Sequence, residues 1–219
     1  GTLLIALLPA VAALMLSYIW LPFAALYQHF YKVKPEDIVI DAGANEGFLS
    51  LIFSKLVEDK GFVFSFEPDS FNIQKFISNM EVNASIKNIK IEDLLLWDKN
   101  AYIDFYETGS VASSAHWIPE NVISTKKEAI TLDSWAVKNN ITKIDFIKMD
   151  IEGAEIEAVE GCREIINNFK PNFAIASYHI VNNEPTYIKI ESFFKSIGYP
   201  CKTVKFNSSE IITFAGENI

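Results

Sequence analysis

Apolar and polar positions along the chain follow two different spacings. From Asp37 onward, short runs rich in β-branched and aromatic residues alternate with longer stretches of amphipathic spacing. This alternation is typical of β-α units wound around a mostly parallel sheet. It predicts strands at residues 37–42, 62–67, 88–96, 144–149 and 173–178, and helices at 47–58, 70–82, 133–139, 155–168 and 186–197.

The C-terminal part of the chain departs from this alternation. Two strand-like runs, 201–206 and 210–215, are separated only by the polar residues 207–209, which predicts a hairpin and therefore an antiparallel pair at the sheet edge. The region 101–130 is less regular, and it is expected to hold one strand followed by a mobile loop. The predicted fold class is α/β, with a mostly parallel sheet of seven strands whose final strand is antiparallel.

The N-terminal segment has a different composition from the rest of the chain. Residues 2–27 are almost wholly apolar, and about 20 such residues span a bilayer, so the stretch is a candidate membrane anchor. Two prolines within it would kink or break one long helix, which makes short helices packed on the domain or on a partner the alternative. We therefore divide the chain into an apolar helical segment, residues 1–31, and one α/β domain, residues 32–219.

Charge and cysteine content narrow the classes of partner. The 219-residue chain carries a formal net charge of −9, whereas nucleic-acid binding needs a basic surface that releases counterions. A DNA or RNA partner is therefore not expected, and a small molecule is. Cys162 and Cys201 lie far apart without the spacing of a zinc site or a disulfide framework, which favours a cytoplasmic setting.

A glycine-containing turn follows the first predicted strand. Asp41 ends that strand, and Gly43 and Gly47 lie four residues apart before the next helix. Glycine lets the backbone turn sharply and approach a ligand, and a helix N-terminus offers unpaired amides. A dinucleotide-binding turn would place its second glycine where Asn45 stands, so a pyrophosphate ligand is disfavoured.

Two carboxylates are expected to lie beside this turn. S-adenosylmethionine lacks a phosphate and carries ammonium and sulfonium groups, which Asp41 at the strand end would attract. Glu67 closes the second predicted strand, where a carboxylate can accept both ribose hydroxyls of a nucleoside. The sequence therefore predicts a cleft for this cationic nucleoside, with both Asp41 and Glu67 facing it.

Acidic residues also follow the predicted buried strand 144–149. Asp150, Glu152 and Glu155 stand within six residues, at the sheet edge where α/β folds bind ligands. Their mutual repulsion can raise one pKa into the range of a general base, or the group can hold a divalent cation. His179 follows the next predicted strand and is a candidate base for an acceptor hydroxyl, with a purely structural histidine as the alternative.

The motifs around both sites resemble those of one family. The strings are VIDAGANEGFLSL, FSFEPD, ITLDSW and, most specific, IDFIKMDIEGAEIEAVEG, and the resemblance to the FkbM methyltransferases covers about residues 38–199. It implies a Rossmann-like class I methyltransferase fold that transfers a methyl group from S-adenosylmethionine to an oxygen, commonly a hydroxyl of a sugar or polyketide. The sequence SYH at residues 177–179 departs from relatives that have an acidic residue there, so the proton acceptor stays open.

The resemblance also implies roles by position. Asp150 would face the transferred methyl group, and Glu67 would hold the ribose. Leu96, within the strand end 95–97, would lie near the adenine. The methionine and ribose side would be lined by Asp41, Gly43, Asn45 and Gly47.

Three functions follow from these patterns. The favoured one is methylation of a hydroxyl on a sugar, glycolipid or similar small molecule, with Asp150, Glu152 and His179 as the catalytic candidates. The alternatives are an NAD-dependent oxidoreductase and a non-catalytic binding module tethered to a membrane. The missing central glycine disfavours the first alternative, and the retained acidic residues disfavour the second.

Overall fold

The computed structural model describes residues 20–116, 123–207, 209–217 and 219, and its strands form three sheets. The strands are β1 (Ile38–Ala42), β2 (Phe62–Phe66), β3 (Ile89–Glu92), β4 (Leu95–Leu96), β5 (Ala101–Phe105), β6 (Thr125–Ile130), β7 (Phe146–Met149), β8 (Asn172–Ala176), β9 (Ile180–Val181), β10 (Glu184–Pro185), β11 (Cys201–Lys205) and β12 (Ile211–Ala215).

Seven of these strands form the central sheet, in the order β11, β12, β8, β7, β1, β2, β3. β12 lies antiparallel between β8 and β11, while the pairs from β8 to β3 are parallel. The predicted α/β class, the mostly parallel sheet of seven strands and its antiparallel final strand are confirmed. The register pairs Asp41 with Lys148 and Ala42 with Phe66, so the predicted site segments leave the sheet side by side.

Helices cover both faces of the central sheet. One hydrophobic cluster, around Phe53 and Phe76, joins the first three helices to one face, and another, around Trp135 and Phe194, joins the last four to the other. Burial of an apolar side chain of this kind contributes roughly 1.5–3 kcal/mol. The helices are α1 (Leu21–Tyr27), α2 (Phe48–Val57), α3 (Ser70–Val82), α4 (Leu132–Lys138), α5 (Glu155–Glu160), α6 (Arg163–Phe169) and α7 (Tyr187–Ser196).

Two segments predicted as single elements are divided in the structure. The predicted strand 88–96 becomes β3 and β4, because β4 leaves the central sheet and pairs with β6 in a second sheet of three strands. The predicted helix 155–168 becomes α5 and α6, which are separated at Gly161. A Cβ at Gly161 would lie 2.2 Å from the carbonyl oxygen of Trp97, so the chain can pass here only without a side chain.

The irregular region 101–130 contains more structure than the sequence predicted. It holds β5, as expected, and also β6, which pairs with β5 in an antiparallel register. The prediction missed β6 because four of its six residues, 125–128, are polar or charged and lack the apolar run that marked the other strands. Residues 117–122, part of the predicted mobile loop, lie outside the described part of the chain.

Most of the predicted membrane-anchor segment, residues 1–19, also lies outside the described part of the chain. The end of that segment forms α1, whose residues Ala24 and Tyr27 are buried against the α/β domain. Among the residues that the structure describes, no helix is long and apolar enough to cross a bilayer. The domain boundary at residue 31 stays a prediction, but α1 packs directly on the domain that follows it.

Candidate active site

A cavity of about 340 Å³ opens where the carboxyl ends of β1, β2 and β7 meet. Its walls come from the turn after β1, the segment after β2, the start of the second sheet, the segment after β7 and helix α1. Open α/β sheets bind their ligands at this edge, outside the strand ends. The two segments that the sequence analysis singled out therefore meet in one concave site.

The turn after β1 depends on residues that tolerate a left-handed backbone. Gly43 has a φ of +74°, Gly47 one of +82° and Asn45 one of +51°. A Cβ on Gly43 would lie 1.8 Å from the carbonyl oxygen of Asp150, and a Cβ on Gly47 would lie 2.1 Å from the Phe76 ring. The glycines let the turn approach its neighbours closely. Gly43 and Asn45 line the cavity, whereas Gly47 lies behind them at the start of α2.

Asp41 does not belong to the cavity wall, unlike the sequence expectation. Its buried carboxylate lies 3.0 Å from the ammonium nitrogen of Lys148 and accepts a hydrogen bond from Ser50 Oγ at 2.6 Å. The cause is the register, which sets Asp41 beside Lys148 on adjacent strands. Lys148 also donates to the carbonyl groups of Ala42 and Gly43, so the ion pair stabilises the turn from behind. The Asp41 carboxylate therefore does not reach the cavity in which direct contact with the donor was expected.

Glu67 faces the cavity from the end of β2. One carboxylate oxygen accepts the backbone N–H of Asn45 at 2.7 Å, and the other accepts that of Asp69 at 2.9 Å. Each oxygen keeps a second lone pair for another donor. Burial raises the pKa of the Glu67 carboxyl to about 7, although both backbone N–H groups favour its charged form. A buried carboxylate of this kind can accept a pair of neighbouring hydroxyls.

Apolar residues and a tethered loop close the same end of the cavity. Three consecutive leucines, 94–96, line it, and they include Leu96, which was predicted near the adenine. Asp69 accepts hydrogen bonds from the backbone of Gly109 and from Ser113 Oγ, which ties the loop after β5 to the N-terminus of α3. Burial opposes ionisation of Asp69, but its hydrogen bonds prevail and lower the pKa.

Asp150 reaches the cavity directly after β7. Its Oδ2 accepts a hydrogen bond of 2.9 Å from the Tyr27 hydroxyl, and its Oδ1 lies 3.4 Å from the Tyr178 hydroxyl. Glu152, two residues on, has a φ of +53° and also lines the cavity. Two of the three predicted catalytic residues are therefore in contact with the space that a substrate would fill.

His179 lies behind these carboxylates, outside the cavity lining. Its Nδ1 is 3.1 Å from Glu155, and its Nε2 is 3.4 Å from Glu152 and 3.7 Å from Asp150. Neither nitrogen meets these oxygens at hydrogen-bond angles, so the contacts are between charges. Burial favours the neutral imidazole, but the surrounding carboxylates prevail and raise the pKa of His179 to about 11. An imidazolium has no free lone pair, and His179 does not line the cavity, so its expected role as a base stays a prediction that neither observation favours.

The same cluster bears on the predicted divalent-cation site. Asp150, Glu155 and His179 each offer a ligand atom, and these atoms lie within 4.8 Å of one another. A cation would need the neutral imidazole, because only that form has a nitrogen lone pair to donate. The surrounding carboxylates favour the protonated imidazole, so a divalent cation would have to displace that proton.

Sequence reasoning missed the aromatic wall of the cavity. Trp20, Phe23 and Tyr27 line it from α1, and they were part of the segment interpreted as a membrane anchor. The only signal was that aromatic residues concentrate at the end of that segment, next to the domain. Lys148 was missed as well, although a lysine within an otherwise apolar buried strand marks a charged partner.

The fold and this site define a Rossmann-like methyltransferase domain, with its site at the carboxyl ends of a parallel sheet that ends in an antiparallel strand. The model of the methyltransferase FkbM domain matches residues 41–201. The chain belongs to the FkbM methyltransferase family.

Individual proteins resemble parts of this chain. The 2-O-methyltransferase NoeI of Sinorhizobium fredii (strain NBRC 101917 / NGR234) is 26 % identical over 162 residues, which are 66 % of this chain and 64 % of NoeI. The crystal structure of methyltransferase FkbM from Methylobacillus flagellatus KT matches with a TM-score of 0.57 and 20 % identity, over 86 % of this chain and 50 % of that one. The present chain thus spans less than two thirds of NoeI and half of the second protein.

A third match extends the likeness of the fold to a protein with a bound methyl donor. Fibrillarin from Aeropyrum pernix, in complex with natively bound S-adenosyl-L-methionine, matches with a TM-score of 0.54 and 12 % identity. The match covers 88 % of this chain and 72 % of fibrillarin. At this level of identity the likeness concerns the fold.

Proposed function

We propose that this chain is an S-adenosylmethionine-dependent methyltransferase that methylates a hydroxyl oxygen of a sugar, a glycolipid or a similar small molecule. The observation that carries the proposal is that Glu67 and Asp150 reach one cavity from the ends of β2 and β7. The first carboxylate suits a ribose, and the second suits an acceptor hydroxyl. Membership of the FkbM family supports methyl transfer, and the likeness to a 2-O-methyltransferase supports oxygen as the target.

The donor would occupy the end of the cavity that Glu67 closes. The free lone pairs of Glu67 would accept the two ribose hydroxyls, and Leu96 with its leucine neighbours offers an apolar surface for the adenine. Gly43 and Asn45 would lie beside the methionine part. Asp41 would act indirectly, since its ion pair with Lys148 fixes the turn that carries these residues.

Asp150 would receive the proton during transfer. The acceptor oxygen forms a bond to the methyl carbon while the carbon–sulfur bond breaks and its electron pair stays on sulfur. The hydroxyl proton passes to the Asp150 carboxylate, and Glu152 is the second carboxylate in the wall of the same space. Such an in-line transfer needs mainly alignment and a base, because the positive sulfur already activates the carbon.

The other two functions receive less support. An NAD-dependent oxidoreductase would need close approach of a pyrophosphate to the turn, where Asn45 takes the position of the second glycine. In a non-catalytic module, the carboxylate buried at the end of the cavity would cost desolvation free energy with no ligand to offset it. The net charge of −9 disfavours binding of a nucleic acid, so DNA and RNA are not among the proposed methyl acceptors.

Calorimetry with S-adenosylmethionine, combined with transfer of labelled methyl groups to candidate sugars, tests the proposal. Wild-type protein should bind the donor, and no binding at millimolar donor would end the proposal. Asp150→Asn should lower turnover by about 10²–10⁴-fold while leaving donor affinity nearly unchanged, because it removes the proton acceptor. Asp104→Asn, an exposed change on β5, is the matched control and should alter neither quantity. Equal losses of turnover and affinity in Asp150→Asn would assign Asp150 to donor binding.

A further inference from the structure

Helix α1 and its N-cap contribute three aromatic side chains to the cavity wall. Trp20, at its N-cap, and Phe23 and Tyr27, within it, all line the space that Asp150 enters. Tyr27 is 1 % exposed, so the end of the helix is part of the domain core. The cavity therefore depends on residues that precede the region matched by the family model.

The aromatic rings of this wall form a connected row. The Trp20 ring stacks on Phe48, at the start of α2, with 4.9 Å between centroids and an interplanar angle of 16°. Phe23 meets the edge of Trp20 at 6.1 Å and lies 6.4 Å from Tyr27. Aromatic rings held by one another lose little further freedom when they bind a ligand. The row offers a preformed apolar surface that leads to Asp150.

The end of the row is fixed to the catalytic carboxylate. The Tyr27 hydroxyl donates to Asp150 Oδ2 at 2.9 Å, which holds the carboxylate against the helix. Burial and the adjacent Asp150 charge raise the pKa of Tyr27, so the hydroxyl keeps its proton and remains a donor. The ammonium group of Lys148 lies 5.7 Å from the centre of the same ring, so Tyr27 also covers the buried ion pair behind the turn.

We propose that α1 is the acceptor-binding wall of this enzyme, with Trp20 and Phe23 contacting the acceptor and Tyr27 positioning Asp150 for its hydroxyl. This inference rests on the proposed methyl transfer. The cavity wall carries Glu67 after β2, whereas near α1 it combines the apolar aromatic surface with the carboxylate of Asp150. That combination fits a small ring with carbon-bound hydrogens on one face and hydroxyls at its edge.

Saturation-transfer NMR with methyl pyranosides of several configurations tests the wall, using protein saturated with S-adenosylhomocysteine. Ring protons of at least one pyranoside should receive saturation from the wild type, should lose it in Trp20→Ala and should recover it in Trp20→Phe. Tyr102→Ala is the matched control, because Tyr102 is an exposed aromatic residue on β5 outside the cavity, and it should retain the signal. No transfer from a wild type that binds S-adenosylhomocysteine, or equal transfer in Trp20→Ala, would overturn the inference.

Tyr27→Phe tests the positioning role, since it removes only the hydroxyl. The kcat for the bound pyranoside should fall by about 10- to 100-fold, with donor affinity and acceptor KM nearly unchanged, because a hydrogen bond to a charged group is lost. Tyr31→Phe is the matched control: Tyr31 donates to the buried Asp37 at the same distance of 2.9 Å, outside the cavity. A similar kcat in both variants, or a fall in donor affinity instead of kcat, would contradict the role. A wild type that binds the pyranoside but transfers no methyl group would refute the proposed function while leaving the wall in place.

Discussion

The carboxyl group of Glu67 should link donor affinity to pH near neutrality. Burial raises its pKa to about 7, so part of the free protein holds this group protonated at pH 7. Ribose hydroxyls donate hydrogen bonds to the charged carboxylate and favour that form. Because the raised pKa makes the neutral acid the dominant form below pH 7, donor binding should strengthen as the pH rises through 7.

The size of the effect follows from the ionised fraction of Glu67. With a pKa of about 7, roughly 3 % of this carboxyl is ionised at pH 5.5 and nearly all of it at pH 8.5. If only the charged form accepts the ribose, the dissociation constant of S-adenosylhomocysteine should be roughly 30-fold larger at the lower pH, or ~2 kcal/mol. Isothermal titration calorimetry across this pH range measures the constant, and buffers of different ionisation enthalpy count the protons released.

Two variants isolate the contribution of Glu67. Glu67→Gln cannot ionise, so its affinity should be lower at pH 8.5 and nearly independent of pH. Glu92→Gln is the matched control, because Glu92 ends the neighbouring strand β3, pairs with Lys90 and lies outside the cavity lining. It should keep the wild-type pH dependence. A flat wild-type profile, or the same slope in Glu67→Gln, would refute the link between this carboxyl and the ribose.

Three further results are expected. Gly43→Ala should lower the free energy of unfolding by more than ~3 kcal/mol, because the added Cβ would meet the Asp150 carbonyl. Gly198→Ala is the control: Gly198 has a φ of +69° but open space around it, so the change should cost about 1 kcal/mol. Equal losses of the two variants on chemical denaturation would contradict the close approach at Gly43. His179→Gln should have a lower free energy of unfolding than the wild type below pH 6.5. The difference should shrink as the pH rises toward 11, because a raised pKa of His179 stabilises the folded protein only while the imidazole is protonated. A difference that stays constant with pH would argue against a charged imidazole. Dialysis against EDTA should leave the melting temperature and donor affinity unchanged, because a protonated His179 lacks the nitrogen lone pair that a cation would need; a loss restored by Mg²⁺ or Mn²⁺ would place a cation there.

Local signals predicted the parts of the site that lie close together in sequence. Gly43 and Gly47 follow an apolar strand and precede a helix, and only glycine and a few polar residues adopt the backbone that this turn requires. Glu67 and Asp150 each stand directly after a buried strand, so the parallel topology alone brings them to one edge. Fold class and cavity position could therefore be inferred before any contact was known.

The partner of Asp41 could not be inferred in the same way. Asp41 lies beside Lys148 because β1 pairs with β7 in one particular register, and a shift of one residue would turn the lysine to the opposite face. No local pattern fixes the register between strands that are about a hundred residues apart. The lysine itself was the available signal, since an unpaired charge would not be stable within a buried strand.

The N-terminal segment shows why apolar composition alone is ambiguous. A membrane helix and a helix buried in a domain both require apolar residues, and composition does not separate them. For α1, Leu21–Tyr27, the structure separates them, because the Tyr27 ring is buried in the core while its hydroxyl bonds to Asp150; residues 1–19 lie outside the described part of the chain. A polar group aimed at a charged residue 123 positions later identifies a packed helix, and this contact exists only in the folded chain.

The charges around Asp150 bear on which group would accept the proton in the proposed methyl transfer. Asp150, Glu152 and Glu155 surround His179, so this cluster alone carries two net negative charges when His179 is protonated. The sulfonium of the donor adds one positive charge before transfer. After transfer the sulfur is neutral and Asp150 holds the proton, so the total charge of cluster and donor is the same. A histidine base would instead have to be neutral at the start, next to three carboxylates that favour its protonated form. With Asp150 as the acceptor of the proton, transfer neutralises the positive sulfur and the negative carboxylate together, whereas a histidine base would take over the positive charge from sulfur; the total charge is unchanged in both cases.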